Sequence, residues 1–447
     1  MLQPTARRLL AATARSQAEG RLPSLVAALV QDGALTWSAG RGSLDPAADP
    51  TDVQYRIGSI TKTFTAVLVM RLRDEGLLSL DTRVEQLVPD APGGDRTVGQ
   101  VLGHSSGLRS ETDGAWWERT PGRTWAELVA PLGAGAVRHP AGLRFHYSNL
   151  GYGILGRVVE SLRGRDWMTC LDSEVLSPLG MVRTTGDAVS PASTGLAVHP
   201  FSPALVREPA HDYLAMAAAG QLWSTARDLA RWGRFLLGDT GGVLAPATVQ
   251  EMARPGLADS LADGSGYGLG LQIDHIGGRA LVGHGGSVPG FLAVLLVDPA
   301  ERTAAVALAN ATSGLDRQLV PRLLEIVREA EPVVLEAWRP LPAGERIPLD
   351  LLGPWFWGPT PLLLTQAADG LLELTGLHDT GRGSRFRSAG ADTFEGLDDY
   401  YAGEVLRVVR DESGAPGHLD LGSFVLTREP YAQGPTPGGT PSPGWER

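Results

Sequence analysis

The chain is short of several residue types, and each shortage excludes something. It holds one cysteine, Cys170, in 447 residues, which rules out an internal disulfide framework and a clustered thiolate metal site. Cys170 is then expected to be a small buried apolar residue. Lysine is as scarce: of 39 basic residues only Lys62 is lysine, and the other 38 are arginine. The formal net charge is −11, which argues against a nucleic-acid partner, because phosphate binding needs concentrated positive charge. No apolar run approaches the roughly 20 residues of a membrane-spanning helix, and the longest, Phe291 to Val297, is strand-length. Near the N-terminus the apolar stretch Leu9 to Ala14 is stopped by Arg15, short of a secretory h-region. A cytoplasmic protein with no membrane contact is expected. The nine histidines are scattered, with neither H-E-x-x-H nor an H-x-H pair. No metal and no other cofactor is therefore expected.

Glycine and proline are abundant, 57 and 32 residues respectively, about a fifth of the chain against a usual eighth. Many turns follow from that. Hydrophobic residues at 43% and charged residues at 20% are ordinary for a globular protein with a large core.

Residues 24–31 (SLVAALVQ) and 34–39 (ALTWSA) are apolar runs joined by Asp32-Gly33, a strong hairpin signal. A second strand-rich block spans 266–309, broken at Gly277-Gly278, Val288-Pro289-Gly290 and Asp298-Pro299, and reads as an antiparallel meander. Between them, 59–75, 147–163 and 225–237 carry helical periodicity, with Ser224 or Thr225 capping the last. The fold class is α+β: hairpin and meander form one antiparallel sheet, flanked by helices and an inserted helical lobe. The expected division is an N-terminal extension over 1–19, a main domain over 20–330 and a proline-spaced linker over 331–349. A small β domain over 350–430 and a disordered Pro/Gly/Ser-rich tail over 431–447 complete it.

Chemistry concentrates at three places. Ser59 and Lys62 stand three residues apart at the start of a helical segment, so their side chains are neighbours. A hydroxyl beside an amine at a helix N-terminus is a nucleophile beside a base, with the helix dipole favouring developing negative charge. In a chain that otherwise uses arginine throughout, Lys62 points to a task guanidinium cannot do, such as giving up a proton near neutral pH. Tyr147 and Asn149 flank Ser148, and across an extended residue both side chains can face one cleft. An adjacent ammonium would lower the Tyr147 phenol toward useful base range, and Asn149 can both donate to and accept from a substrate amide. His284-Gly285-Gly286-Ser287 ends a strand, where the glycines admit close approach and free N–H groups can hold an oxyanion.

S-x-x-K, then Y-x-N, then a basic residue before a glycine pair is the acyl-transfer order of penicillin-recognising enzymes. With GHSSGL at 103–108, FHYSNLGYGILG at 145–156, GQLWSTARDLARW at 220–232 and GHGGSVPGF at 283–291, residues 20–315 resemble the β-lactamase-related serine hydrolases. That group includes class C β-lactamases, D-alanyl-D-alanine carboxypeptidases and esterases. The resemblance implies that Ser59 is acylated, that Lys62 and Tyr147 share the proton transfers with Tyr147 the base of deacylation, and that Asn149 holds the substrate amide. It also implies an oxyanion hole made by the N–H groups of Ser59 and Ser287, with His284 beside it, and a small-molecule or short-peptide substrate. His284 stands where β-lactamases place a lysine. A histidine is only partly charged near neutral pH, so a substrate carboxylate is held less firmly and β-lactam turnover is doubtful.

Two other readings compete. Gly103 to Gly107 matches G-x-S-x-G, the nucleophile elbow of α/β-hydrolases with Ser105 as nucleophile, and a non-catalytic penicillin-binding-like module would share the same motifs. Trp116, Trp117, Trp223 and Trp232 are candidates for an acyl pocket or plain core. Arg109 and Arg144 lie near the motif loops as candidate carboxylate ligands or solvated charges.

Overall fold

The computed structural model describes residues 1–256, 265–332, 334, 337–377 and 382–430. The expected tail over 431–447 lies outside the described residues. Two compact units divide the chain, Met1–Val333 and Val334–Arg447.

The first unit is built on one seven-stranded antiparallel sheet. Its order is Ala34–Gly42, Ser24–Gln31, Thr303–Ala309, Phe291–Asp298, Arg279–Val288, Gln272–Ile276 and Gly266–Tyr267. Hairpin and meander thus join as expected, with Leu25 opposite Ala309. Asp32 and Gly33 both take positive φ, 47° and 73°, which a tight two-residue turn requires of its central positions. Strand alternation sorts the core into two faces. Val26, Ala28, Val30, Val306 and Leu308 pack against the helical lobe, while Leu25, Ala27, Leu29, Ala305 and Ala307 face the other way.

That second face is covered by the helices Gln3–Glu19 and Leu319–Ala330. Residues 1–19, read as an extension, thus form a helix that buries Thr5, Leu9, Thr13 and Ser16 within the first unit. That helix is weakly amphipathic, since three of those four inward residues are small and polar.

On the lobe side lie the helices Thr61–Asp74, Asn149–Arg163 and Ala226–Leu236. Thr225 caps the last by accepting from the Asp228 N–H. At their far ends the first two are tied by ion pairs. Arg163 reaches Glu75 at 2.6 Å and Glu174 at 2.7 Å, and Glu174 also meets Arg71 at 3.4 Å.

The second unit is a closed eight-stranded barrel running from Gly353–Trp357 to Phe424–Thr427. Trp355, Leu364, Leu374, Phe386, Leu406 and Leu419 fill its interior. Closure leaves no edge strand exposed.

Candidate active site

Ser59 sits in a single 3-10 turn, Gly58–Ile60, that runs straight into the helix Thr61–Asp74. From Val53 to Met70 every residue is buried except Ser59. Two glycines let the neighbouring strand touch this turn. A Cβ on Gly58, whose φ is +49°, would lie 2.7 Å from the Ser287 nitrogen, and one on Gly286 would lie 1.9 Å from the Ile57 oxygen and 3.3 Å from the Ser59 nitrogen. The backbones of residues 57–59 and 286–287 are therefore in contact, which brings the N–H groups of Ser59 and Ser287 to the same place.

Lys62 lies one turn along. Its Nζ is 3.0 Å from Ser59 Oγ and donates to the Ala219 carbonyl at 2.7 Å. The side chain is wholly buried, and no carboxylate among the described residues is paired with it. Burial drives the ammonium from its usual 10.5 down to about 7, with the charges of Glu111 and Glu118 pulling weakly the other way. A neutral amine is thus available near physiological pH.

Burial raises the Tyr147 phenol above its ordinary value, against a smaller lowering by the neighbouring Ser59 hydroxyl. The expected lowering by an ammonium does not occur. Lys62 Nζ sits over the Tyr147 ring, 5.0 Å from its centre, and above pH 7 it carries little charge to stabilise a phenolate. The Tyr147 phenol is thus protonated in the physiological range, while Lys62 can stand neutral beside it.

Ser148 is extended, at φ −134° and ψ 112°, and caps the helix Asn149–Arg163 through its side chain. The loop segment 104–111 splints this turn. The His146 N–H donates to His104 O at 2.7 Å and the Asn149 N–H to Ser110 O at 2.8 Å. Ser148 Oγ donates to Arg109 O at 2.6 Å. Asn149 Nδ2 donates to Glu111 Oε1 at 2.7 Å, and Trp117 Nε1 donates to the other Glu111 oxygen at 2.8 Å. Glu111 consequently fixes the Asn149 amide with its oxygen as the free end.

His284 lies on the strand Arg279–Val288, 3% exposed. Its Nδ1 donates to the Gly285 carbonyl at 2.5 Å, so Nε2 accepts from the Tyr267 hydroxyl at 3.1 Å. Burial, reinforced by the Lys62 charge, pushes its pKa to about 3. The expected partial charge is thus corrected: the ring is neutral throughout the physiological range, because a second cation beside Lys62 is disfavoured in a dry site. The Gly285 N–H is itself taken, donating to Gln272 Oε1 at 2.8 Å.

The elbow reading of Ser105 fails. A short helix, Val98–Leu102, precedes it where the elbow needs a strand, the sheet is antiparallel, and Ser105 Oγ donates to the Gln100 carbonyl at 3.4 Å. Among the tryptophans, Trp232 is core, stacked 3.9 Å from Phe64, and Trp223 is buried. Trp116 is 57% exposed. Trp117 lines a cavity of about 240 Å³ with Ala115, Leu128, Tyr213 and Met216. Arg109 is paired with Asp113 at 2.7 Å, Arg144 is exposed, and Cys170 is buried.

Sequence reasoning missed Glu111, Glu118 and Tyr267. Glu111 lies in a loop, Glu118 in the single 3-10 turn Trp117–Arg119 and Tyr267 in the short edge strand Gly266–Tyr267, none within a recognisable pattern, and only the fold brings them to the site. His104 was visible inside GHSSGL, but only as part of a familiar phrase.

Fold and site geometry together are those of the beta-lactamase class. The chain belongs to the beta-lactamase family, which matches residues 9–328; residues 345–428 match a domain of unknown function, DUF7586. It is 28% identical to beta-lactamase-like protein 2 of Dictyostelium discoideum over 255 residues, 52% of this chain and 46% of that protein. The chain thus spans about half the length of that relative. A penicillin-binding protein homologue from Pyrococcus abyssi, described as octameric, superposes with a TM-score of 0.65 at 24% identity, covering 94% of this chain and 99% of the other. A D-stereospecific amidohydrolase from Streptomyces gives a TM-score of 0.61 at 28% identity, covering 74% and 99%. No helix among the described residues is long and apolar enough to cross a membrane.

Proposed function

We propose that the protein hydrolyses a small amide, ester or short D-amino-acid peptide through an acyl-enzyme on Ser59. The observation that carries this is the contact of Ser59 Oγ with a buried lysine whose pKa lies at about 7. Neutral Lys62 takes the Ser59 proton as Oγ bonds to the substrate carbonyl carbon. The resulting oxyanion lies against the N–H groups of Ser59 and Ser287. Tyr147 passes its hydroxyl proton to the leaving nitrogen or oxygen as that bond breaks, and the Lys62 ammonium reprotonates Tyr147. Water then retraces the path, giving its proton to Lys62 and its oxygen to the acyl carbon, and Ser59 is released.

The electrostatics favour an acyl group that bears an amine. Glu111 and Glu118 both act on Lys62, and His284 supplies no positive charge to hold a carboxylate. The stereospecific amidohydrolase among the similar structures agrees with D-amino-acid amides over β-lactams, and D-carboxypeptidase and esterase activities are the next to assay.

Two measurements test the reading. Peptide mapping after fluorophosphonate treatment is expected to find the adduct on Ser59; an intact, unlabelled Ser59 would reinstate the non-catalytic module. With an amide substrate whose own ionisation is constant, kcat/KM is expected to climb through about pH 7 and then level, since Lys62 acts only when deprotonated. A profile already flat from pH 5 to 8 would remove Lys62 as the base.

A further inference from the structure

Resting on the acyl-enzyme reading above, we propose that His104 is a positioning residue that holds Tyr147 against Ser59. It grips the chain on both sides of the tyrosine: its carbonyl accepts the His146 N–H at 2.7 Å, and its Nδ1 accepts the Ser148 N–H at 3.1 Å. Between those two anchors its ring backs the Tyr147 ring, with centroids 4.2 Å apart.

Histidine fits this task for three reasons. The backbone of His104 is left-handed at φ 54°, a region that histidine and asparagine enter more readily than most residues. The residue is fully buried, and desolvation together with the nearby Lys62 charge keeps the ring neutral. Because Nδ1 accepts, the ring proton must sit on Nε2, and that atom is buried without a hydrogen-bond partner. It is enclosed by aromatic rings, Tyr267 at 4.6 Å and Tyr152 at 5.1 Å in addition to Tyr147. A buried N–H given up to π faces costs free energy. The cost is understandable if the ring's purpose is to fix the phenol rather than to satisfy itself.

The test is a double-mutant cycle on the full chain with an amide substrate. His104→Gly keeps the left-handed backbone and removes both ring and acceptor. It is expected to lower kcat by about 100-fold, the usual cost of a misplaced reacting group, with KM changed less than about 3-fold. His104→Asn keeps an acceptor for Ser148 and tolerates the same φ, and is expected to recover about 10-fold of the loss. In a Tyr147→Phe background, His104→Gly is expected to cost less than about 3-fold, because the group it positions is already gone. If the losses multiply instead, or if folded His104→Gly turns over like the wild type, the proposal is overturned. If Tyr147→Phe alone is fully active, the assignment of Tyr147 falls and this inference with it. Fluorophosphonate labelling of Ser59 in the same variants separates that outcome from failure of the acyl-enzyme reading itself.

Discussion

Lys62→Met is expected to lose turnover by about 10³–10⁴-fold, the upper range for a general base, while melting at a higher temperature than the wild type. The opposing effects share one cause. The lysine is wholly buried and its pKa is brought from 10.5 to about 7, so at pH 7 the fold carries a desolvation cost of about 4 kcal/mol. Methionine has nearly the same length and no charge to desolvate. Against the gain stands the Ala219 carbonyl, which loses its donor at about 1–3 kcal/mol, leaving a net stabilisation of about 1–3 kcal/mol. The pH dependence has a definite sign. Between pH 7 and 10.5 the unfolded lysine is protonated and the folded one is not, so wild-type stability rises with pH across that window and is flat below it. Melting curves of Lys62→Met should lack that rise. An arginine is a poorer probe, since a guanidinium cannot shed its proton and would leave a buried charge. Activity surviving in Lys62→Met would end the case for this residue as the base.

Gly286→Ala is expected to reduce kcat/KM by about 10²–10³-fold, the loss typical of removing one oxyanion donor. The added methyl has nowhere to go, because its position is 1.9 Å from the Ile57 carbonyl oxygen. The strand must retreat from the turn that bears Ser59, and the Ser287 N–H retreats with it. Overpacking of this kind costs about 1–3 kcal/mol of stability, which the large core can absorb. Fluorophosphonate labelling of Ser59 should slow in parallel with turnover, since both pass through the same oxyanion. Normal labelling in this variant would place the oxyanion donors elsewhere.

The sheet was legible because its central strands are short apolar runs and its turns carry their own markers: Asp32-Gly33, Gly277-Gly278 and Asp298-Pro299. The barrel was only half legible. Val405–Arg410 reads as a strand, whereas Ser384–Gly390 (SRFRSAG) and Pro416–Leu421 (PGHLDL) bury only alternate residues and open on turn-forming types. Within the site, residue identities were readable, since Ser59, Lys62, Tyr147, Asn149 and the His284 to Ser287 run follow fixed local spacings. Protonation states were not. Whether Tyr147 or Lys62 holds the proton, and whether His284 is charged, depends on burial by segments hundreds of residues apart. The splint from His104 to Glu111 was hidden for the same reason: its partners are backbone groups of another loop.

The pairing of Ser24–Gln31 with Thr303–Ala309 also bears on how the protein is made. The second strand of the sheet leaves the ribosome well before its central neighbour, which comes some 280 residues later. At about 5–20 residues per second, an almost wholly apolar strand waits between about 15 s and a minute with one edge unpaired. Such an edge is a template for association with other chains. Nascent chains that stall before residue 303 are therefore the form of this protein most in need of a chaperone.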